Sequence, residues 1–372
     1  MMKVRVKQDH FARVLGVVTG VVPTTSTIPV LSNLLLDVEG GKIKLSATDL
    51  DISVISIVEG EVKGSGAVTI PAKRFQEIVR ELPGEDVEID VDGNKISVTC
   101  SRSSFKMMGM EKEQFPKIAD LENKERVSIS AQVLEKMIRR SIFSVARDDT
   151  RPVLSGVLWE ISPKELAMVG TDGHRLARMG VTGDFAIKQE AGVIVPPKAL
   201  NQILKLLAGE DEVGVAIDNA FVGFFVGDTT VYTRRIEGTF PNYRQVIPKN
   251  NANQLVVKRE DLSSATRRVS LLADSKTHKI KMLLTKSGVK LTASTPDLGE
   301  AEEEVPATYT GEEMTIGYNA SYILDAVKST DSDEIQLELG TPVGASILKP
   351  VSEPEGESYL CLVMPLRLAE QE

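Results

Sequence analysis

The sequence has 372 residues, of which 42% are hydrophobic and 26% charged, with a formal net charge of −9. A chain of this length buries two or three modest cores rather than one, and no apolar run approaches the roughly 20 residues that cross a bilayer. Cys100 and Cys361 are the only cysteines and share no CxxC spacing, which excludes a disulfide framework and a thiolate metal site and suits a reducing cytoplasm. His10, His174 and His278 lie in unrelated contexts, so no metal or other cofactor is expected.

From the first residues, Val4 and Val6 alternate with Lys3, Arg5 and Lys7 as in a strand, with no export-signal pattern. Phe11, Val14, Leu15 and Val18 then share one helical face. Next come Ile28 to Asp37 (IPVLSNLLLD), a short alternating strand at Lys42 to Leu45, and the pair Thr48-Asp49. The stretch Val68 to Asp90 (VTIPAKRFQEIVRELPGEDVEID) reads as strand, helix, acidic turn and strand. Its helical stripe is Phe75, Ile78, Val79 and Leu82.

The same order then recurs. Leu134, Met137, Ile138 and Val145 mark a helix; Arg151 to Glu160 (RPVLSGVLWE) resembles the earlier IPVLSNLLLD; Thr171-Asp172 follows Thr48-Asp49 by 123 residues. Val193 to Asp218 (VIVPPKALNQILKLLAGEDEVGVAID) matches Val68 to Asp90, with the stripe Leu200, Ile203, Leu204 and Leu207. Phe240-Pro241 follows Phe115-Pro116 by 125 residues. A third copy opens with Leu262, Ala265, Val269 and Leu272 and continues with a looser strand-helix-strand unit from Thr315. Three duplicated domains are therefore expected, spanning 1–120, 126–248 and 254–372, with boundaries in the polar stretches Asp120 to Glu125 and Lys249 to Gln254. Each holds two helices gathered on one face of antiparallel sheets, an α+β class.

Charge is segregated along this repeat. Of 44 Lys and Arg and 53 Asp and Glu in the chain, the six helical windows (6–18, 72–82, 131–147, 197–208, 258–272 and 319–330) hold 16 and 7. The helices are basic, and the strands and loops carry the excess acid. Lys136, Arg139 and Arg140 fall on one helical face opposite the apolar stripe, and Arg80, Lys198, Lys205, Arg267 and Arg268 supply further cations. One-signed faces within an acidic shell attract phosphates locally. Few aromatics and no recognition-helix or zinc-finger pattern point to contact with phosphates and no base readout.

The set IPVLSN (28–33), TDL (48–50), TDGHRLA (171–177), FPNYRQVIP (240–248) and MPLRL (364–368), in that order across nearly the whole chain, resembles the bacterial DNA sliding clamps, the β subunits of DNA polymerase III. The resemblance implies a non-enzymatic head-to-tail homodimeric ring, helices lining the hole and sheets outside. Such a ring encircles duplex DNA and tethers replicative and repair polymerases, the clamp loader and other proteins bearing short clamp-binding motifs. It implies a cytoplasmic, nucleoid-associated protein that does not bind membranes.

By motif match, the partner-peptide pocket between the second and third domains comprises Leu154, Thr171, Gly173, His174, Arg175, Leu176, Pro241, Val246, Val343, Leu362, Val363, Met364, Pro365, Leu366, Arg367 and Leu368. The ring contact pairs Arg74, Arg102 and Phe105 with Leu271, Leu272 and Glu300 of a neighbour. Gln245 stands where many members carry Arg, Ala369 to Glu372 extend past the usual last leucine, and Thr25 and Asp148 occupy turns where relatives offer DNA-facing groups.

Two other readings compete: a repeat-built interaction scaffold without a nucleic-acid role, and a hydrolase using Asp172 and His174. The equivalent turns Thr48-Asp49 and Thr295-Pro296-Asp297 contain no histidine, which favours Asp as a repeated turn residue.

Overall fold

The computed structural model describes residues 2–148, 150–187 and 190–368. Among these, six α-helices form: α1 (Gln8–Val18), α2 (Ala72–Glu81), α3 (Ala131–Arg139), α4 (Pro197–Leu204), α5 (Arg259–Val269) and α6 (Ala320–Lys328). Each turns one apolar stripe inward. Phe11 and Leu15 of α1 and Phe75 and Val79 of α2 are fully buried, and the Phe11 and Phe75 rings meet edge to face at 5.8 Å. Full burial of such side chains stabilises by about 1.5–3 kcal/mol each.

All six helices are shorter than their windows, and α3 and α4 lose most at their C-terminal ends, for local reasons. After α3 the Ser141 hydroxyl donates to the Met137 carbonyl at 2.8 Å and the Ser144 hydroxyl to the Ser141 carbonyl at 2.7 Å. These side chains take up carbonyls that a continuing helix would use, and a 3-10 turn follows at Ile142–Ser144. After α4 the chain tightens, Leu206 N–H bonding to the Ile203 carbonyl, and leaves through Gly209 at φ +85°, a conformation glycine adopts without strain.

Twenty-five strands make three antiparallel sheets among the described residues. The first runs β5 (Glu61–Lys63), β1 (Met2–Lys7), β7 (Asp86–Asp92), β8 (Lys95–Cys100), β9 (Ser103–Met108). The second runs β10 (Val127–Ser130), β15 (Glu212–Ile217), β16 (Phe221–Val226), β17 (Thr229–Arg234), β4 (Ile52–Val58), β3 (Lys42–Thr48), β2 (Asn33–Glu39), β6 (Gly66–Pro71). The third runs β14 (Ala191–Val195), β11 (Val157–Ile161), β12 (Glu165–Thr171), β13 (Arg175–Thr182), β25 (Glu357–Val363), β24 (Ser346–Pro350), β23 (Glu334–Leu339), β18 (Asn253–Lys258), β21 (Gly299–Tyr309), β20 (Gly288–Thr295), β19 (Lys279–Thr285), β22 (Met314–Asn319).

The chain packs as two compact units, Met1–Glu135 with Val195–Arg235, and Lys136–Ile194 with Ile236–Glu372. The architecture is α+β with three repeated domains, yet the middle repeat gives β10 and β15 to β17 to one unit's sheet and β11 to β13 to the other's. Each large sheet is therefore stitched across a repeat boundary. In one unit β17 pairs with β4 (Tyr232 opposite Ser53); in the other β25 pairs with β13 (Leu362 opposite Leu176).

The hairpin turn that leads into each stitched strand, β4 and β13, is built identically. Asp49 Oδ1 accepts the N–H groups of Asp51 and Ile52, and Asp172 Oδ1 those of His174 and Arg175. The Thr48 and Thr171 hydroxyls donate to the carbonyls of Ile52 and Arg175. The residue between them lies at positive φ, Leu50 at +83° and Gly173 at +89°. These are Asx turns, and they account for the recurring Thr-Asp pair.

Candidate partner-binding groove and basic helix faces

The stitch between β13 and β25 carries an apolar floor of Val169, Leu176, Tyr243 and Leu362, against which Leu158, Phe240, Ile247, Ala345 and Leu360 pack. Tyr243 sits on the connector after Phe240-Pro241. Its hydroxyl donates to Glu160 at 2.7 Å and accepts from Arg178 Nε at 3.4 Å. Burial, then the Glu160 contact, pushes the phenol above its usual range. Around this floor stand apolar side chains that water reaches: Val246 is 56% exposed, Val343 71% and Met364 40%. Exposed apolar groups around a packed floor make this surface a candidate for docking.

The segment after β25 forms a second wall. Met364 N–H bonds to the His174 carbonyl at 2.9 Å, and Leu366 N–H to the Gly317 carbonyl at 2.8 Å. Glycine is required there, because a Cβ on Gly317 would lie 2.7 Å from Leu368 Cδ2 and 2.8 Å from the Leu366 carbonyl oxygen. Pro365, Leu366 and Leu368 are half-buried and Arg367 is exposed. Leu154, Thr171, Leu176, Leu362 and Val363 are buried support, while Gly173, His174 and Pro241 are exposed on the surface.

Arg175, expected in the pocket by motif match, is a buried residue of the turn. Its guanidinium is buried, donating to Asp172 Oδ2 at 3.1 Å, Asp325 Oδ2 at 2.6 Å and the Phe143 carbonyl at 2.7 Å, with Tyr322 4.5 Å from its centre. It ties the Asp172 turn to α6. Asp172 spends both carboxylate oxygens on that turn and on Arg175, which leaves no carboxylate to orient His174 as a base.

The basic helix faces divide into two groups. Arg139, Lys205 and Arg267 are exposed, as are Arg80, Lys198 and Arg268, which lie beside Glu81, Asp49 and Glu303 respectively. Lys136 is half-buried on Glu357 at 2.6 Å. Arg140 departs from the expectation of an open face: it follows the last residue of α3 and turns inward, 4% exposed. There it pairs with Asp331 at 3.2 Å and Glu357 at 3.7 Å and lies over Tyr359. Asp148, at one of the two turns where relatives offer DNA-facing groups, binds the N–H and hydroxyl of Thr150. The tail from Ala369 to Glu372 lies outside the described residues.

Two of the sheet edges carry the residues expected at the ring contact. β9 is the outermost strand of its sheet, with Arg102 and Phe105 exposed and Arg74 exposed on α2. β21 pairs with β20 along Gly299–Pro306 but with β18 only at Ala307–Tyr309, so the other edge of its first residues has no strand partner among the described residues. Glu300 lies there, exposed; Leu271 is 77% exposed on the 3-10 turn Ser270–Leu272, and Leu272 is half-buried. Met108 on β9 and Leu298 before β21, both exposed, join these edges. No periodicity singled them out.

Family models for the N-terminal, central and C-terminal domains of the DNA polymerase III beta subunit match residues 2–119, 128–242 and 244–367. The chain is 33% identical to the beta sliding clamp of Vibrio cholerae over 99% of its own length and all of that protein, and 31% identical, with the same coverage, to that of Escherichia coli. The chain belongs to the DNA polymerase III beta subunit family. Its fold superposes on the crystal structure of the Bartonella birtlesii sliding clamp bound to griselimycin with a TM-score of 0.93, at 32% identity, covering 99% of this chain and all of that one. The family consists of non-catalytic processivity factors, which removes the hydrolase reading of Asp172 and His174. Among the described residues no helix is long and apolar enough to cross a membrane.

Proposed function

We propose that the chain works as a head-to-tail homodimeric ring that encircles duplex DNA in the cytoplasm, at the nucleoid, and holds polymerases, a clamp loader and repair proteins through the groove at the β13–β25 stitch. The observation that carries the tethering role is that groove: a packed floor of Leu176, Tyr243 and Leu362 beneath an open rim of Val246, Val343 and Met364. Short peptides with leucine and phenylalanine anchors suit it, because they bury apolar area without demanding polar partners from the floor. Arg175 acts here as a positioning residue for the turn that supports the wall.

The ring contact is supported by complementary edges. β9 with Arg74, Arg102 and Phe105 offers a basic, partly apolar strand with one open edge; β21 with Glu300, beside Leu271 and Leu272, offers an acidic one, open along its first residues. Pairing them covers both edges. DNA contact falls to Arg80, Lys136, Arg139, Lys198, Lys205, Arg267 and Arg268, with Arg140 withdrawn. Several of these cations already lie beside carboxylates, so each phosphate must compete with an internal partner. Weak, exchangeable phosphate contacts favour sliding over fixed binding.

Deletion of Met364 to Leu368 tests the groove. Fluorescence anisotropy with a labelled polymerase-derived peptide should show loss of binding, while sizing chromatography shows the dimer retained. Unchanged peptide affinity would refute the assignment.

A further inference from the structure

The register that builds the groove occurs a second time. In one unit the row Leu158, Val169, Arg178 and Leu360 crosses β11, β12, β13 and β25. In the other, Leu35, Ser46, Ile55 and Thr230 cross β2, β3, β4 and β17 in the same register. A connector beginning Phe-Pro lies on each row, residues 240–247 on the former and 115–122 on the latter.

The side chains differ where it matters. On the first row Tyr243 bridges Glu160 and Arg178 and fills the space beneath its connector. At the corresponding positions of the second row stand Ile118, Asp37 and Ile55, and Asp37 is held instead by Lys112 at 3.0 Å. With no such bridge, a cavity of about 330 Å³ remains between connector and sheet, floored by Leu35, Ile55, Ile118 and Tyr232. That volume is at the small end of ligand pockets and admits one or two side chains. Leu121, 1% exposed against Tyr232 and Ala216, closes the neighbouring space where Val246 stands open in the other unit. The rim formed by the connector is acidic: Asp120 and Glu122 line it, and Lys44 is on the opposite, sheet side.

We propose that this cavity is a second docking site for a linear peptide segment of a partner protein, one apolar side chain entering over Ile55 and a flanking Lys or Arg meeting Asp120 and Glu122. The choice of a peptide rests on the reading of the β13–β25 groove as a peptide site; the acidic rim and the cavity stand apart from it. A basic flank adds charge attraction at the rim and distinguishes ligands of the two sites.

The test is calorimetric titration of the intact protein with the pentapeptide Lys-Leu-Leu-Phe-Lys. Two binding events per chain are expected. Ile55→Arg, which installs the residue the other row carries at Arg178, should abolish one event, and Glu122→Lys, at an exposed rim position, should weaken that same event about tenfold. Val246→Glu should remove only the other event. A single event that Val246→Glu abolishes, or two events unaltered by both Ile55→Arg and Glu122→Lys, would overturn the second site. Two events untouched by Val246→Glu would instead overturn the groove assignment and leave the cavity standing.

Discussion

Replacing Arg175 by Met removes a buried cation while keeping the length of its side chain. Three acceptors lose their donor at once: Asp172, Asp325 and the Phe143 carbonyl. Stripping one partner from a buried ion pair costs about 3–5 kcal/mol. Asp325 is 38% exposed and regains water, which pulls the figure to about 3 kcal/mol, or about 150-fold in the equilibrium for local opening. Hydrogen exchange followed by mass spectrometry should show that acceleration in peptides covering α6 and the turn at 171–176, with β1 to β9 unchanged. Partner-peptide affinity should fall as well, because the His174 carbonyl that holds Met364 belongs to the loosened turn. Arg175→Lys should restore little, since one ammonium cannot serve three acceptors in a planar fork. Exchange at α6 within about threefold of the unaltered protein would refute this account of Arg175, because it corresponds to under about 1 kcal/mol.

Charge reversal at Arg139 and Arg267 together should shorten residence on DNA and flatten its salt dependence, as each lost phosphate contact reduces the slope. Arg140→Glu should instead lower the melting temperature, because it sets a third carboxylate against Asp331 and Glu357; normal stability with weakened DNA binding would reverse that assignment. Burial pushes the Cys361 thiol up to about 12 and raises that of Cys100. The thiolate, the reactive form, is therefore scarce at pH 8 and grows only as pH rises towards those values. A disulfide-exchange reagent at pH 8 should react with neither thiol in the folded protein and with both after denaturation; rapid reaction of native Cys361 would contradict its placement.

Five helices were legible because their apolar stripes follow a 3.6-residue period and α6 because it repeats an earlier unit, and the repeated Thr-Asp turn was legible because its hydrogen bonds are local. Arg140 was not. Its N–H keeps the helical bond to the Lys136 carbonyl and both side chains reach Glu357, but the carboxylates Asp331 and Glu357 that hold Arg140 inward lie about 200 residues away in sequence. Arg175 was read as a pocket residue from its motif, whereas its role depends on Asp325, 150 residues away. The stitches β4 with β17 and β13 with β25 join different repeats, so no local pattern could show them. The open edge of β21 depends likewise on where β18 stops pairing.

In the proposed ring, the protein holds DNA by surrounding it. Loaded by a clamp loader onto nicked circular duplex, it should remain bound through gel filtration at high salt and leave within the dead time once a restriction enzyme linearises the circle. Equal retention on circular and linear DNA, or loss from both at high salt, would mean that it binds by surface charge alone.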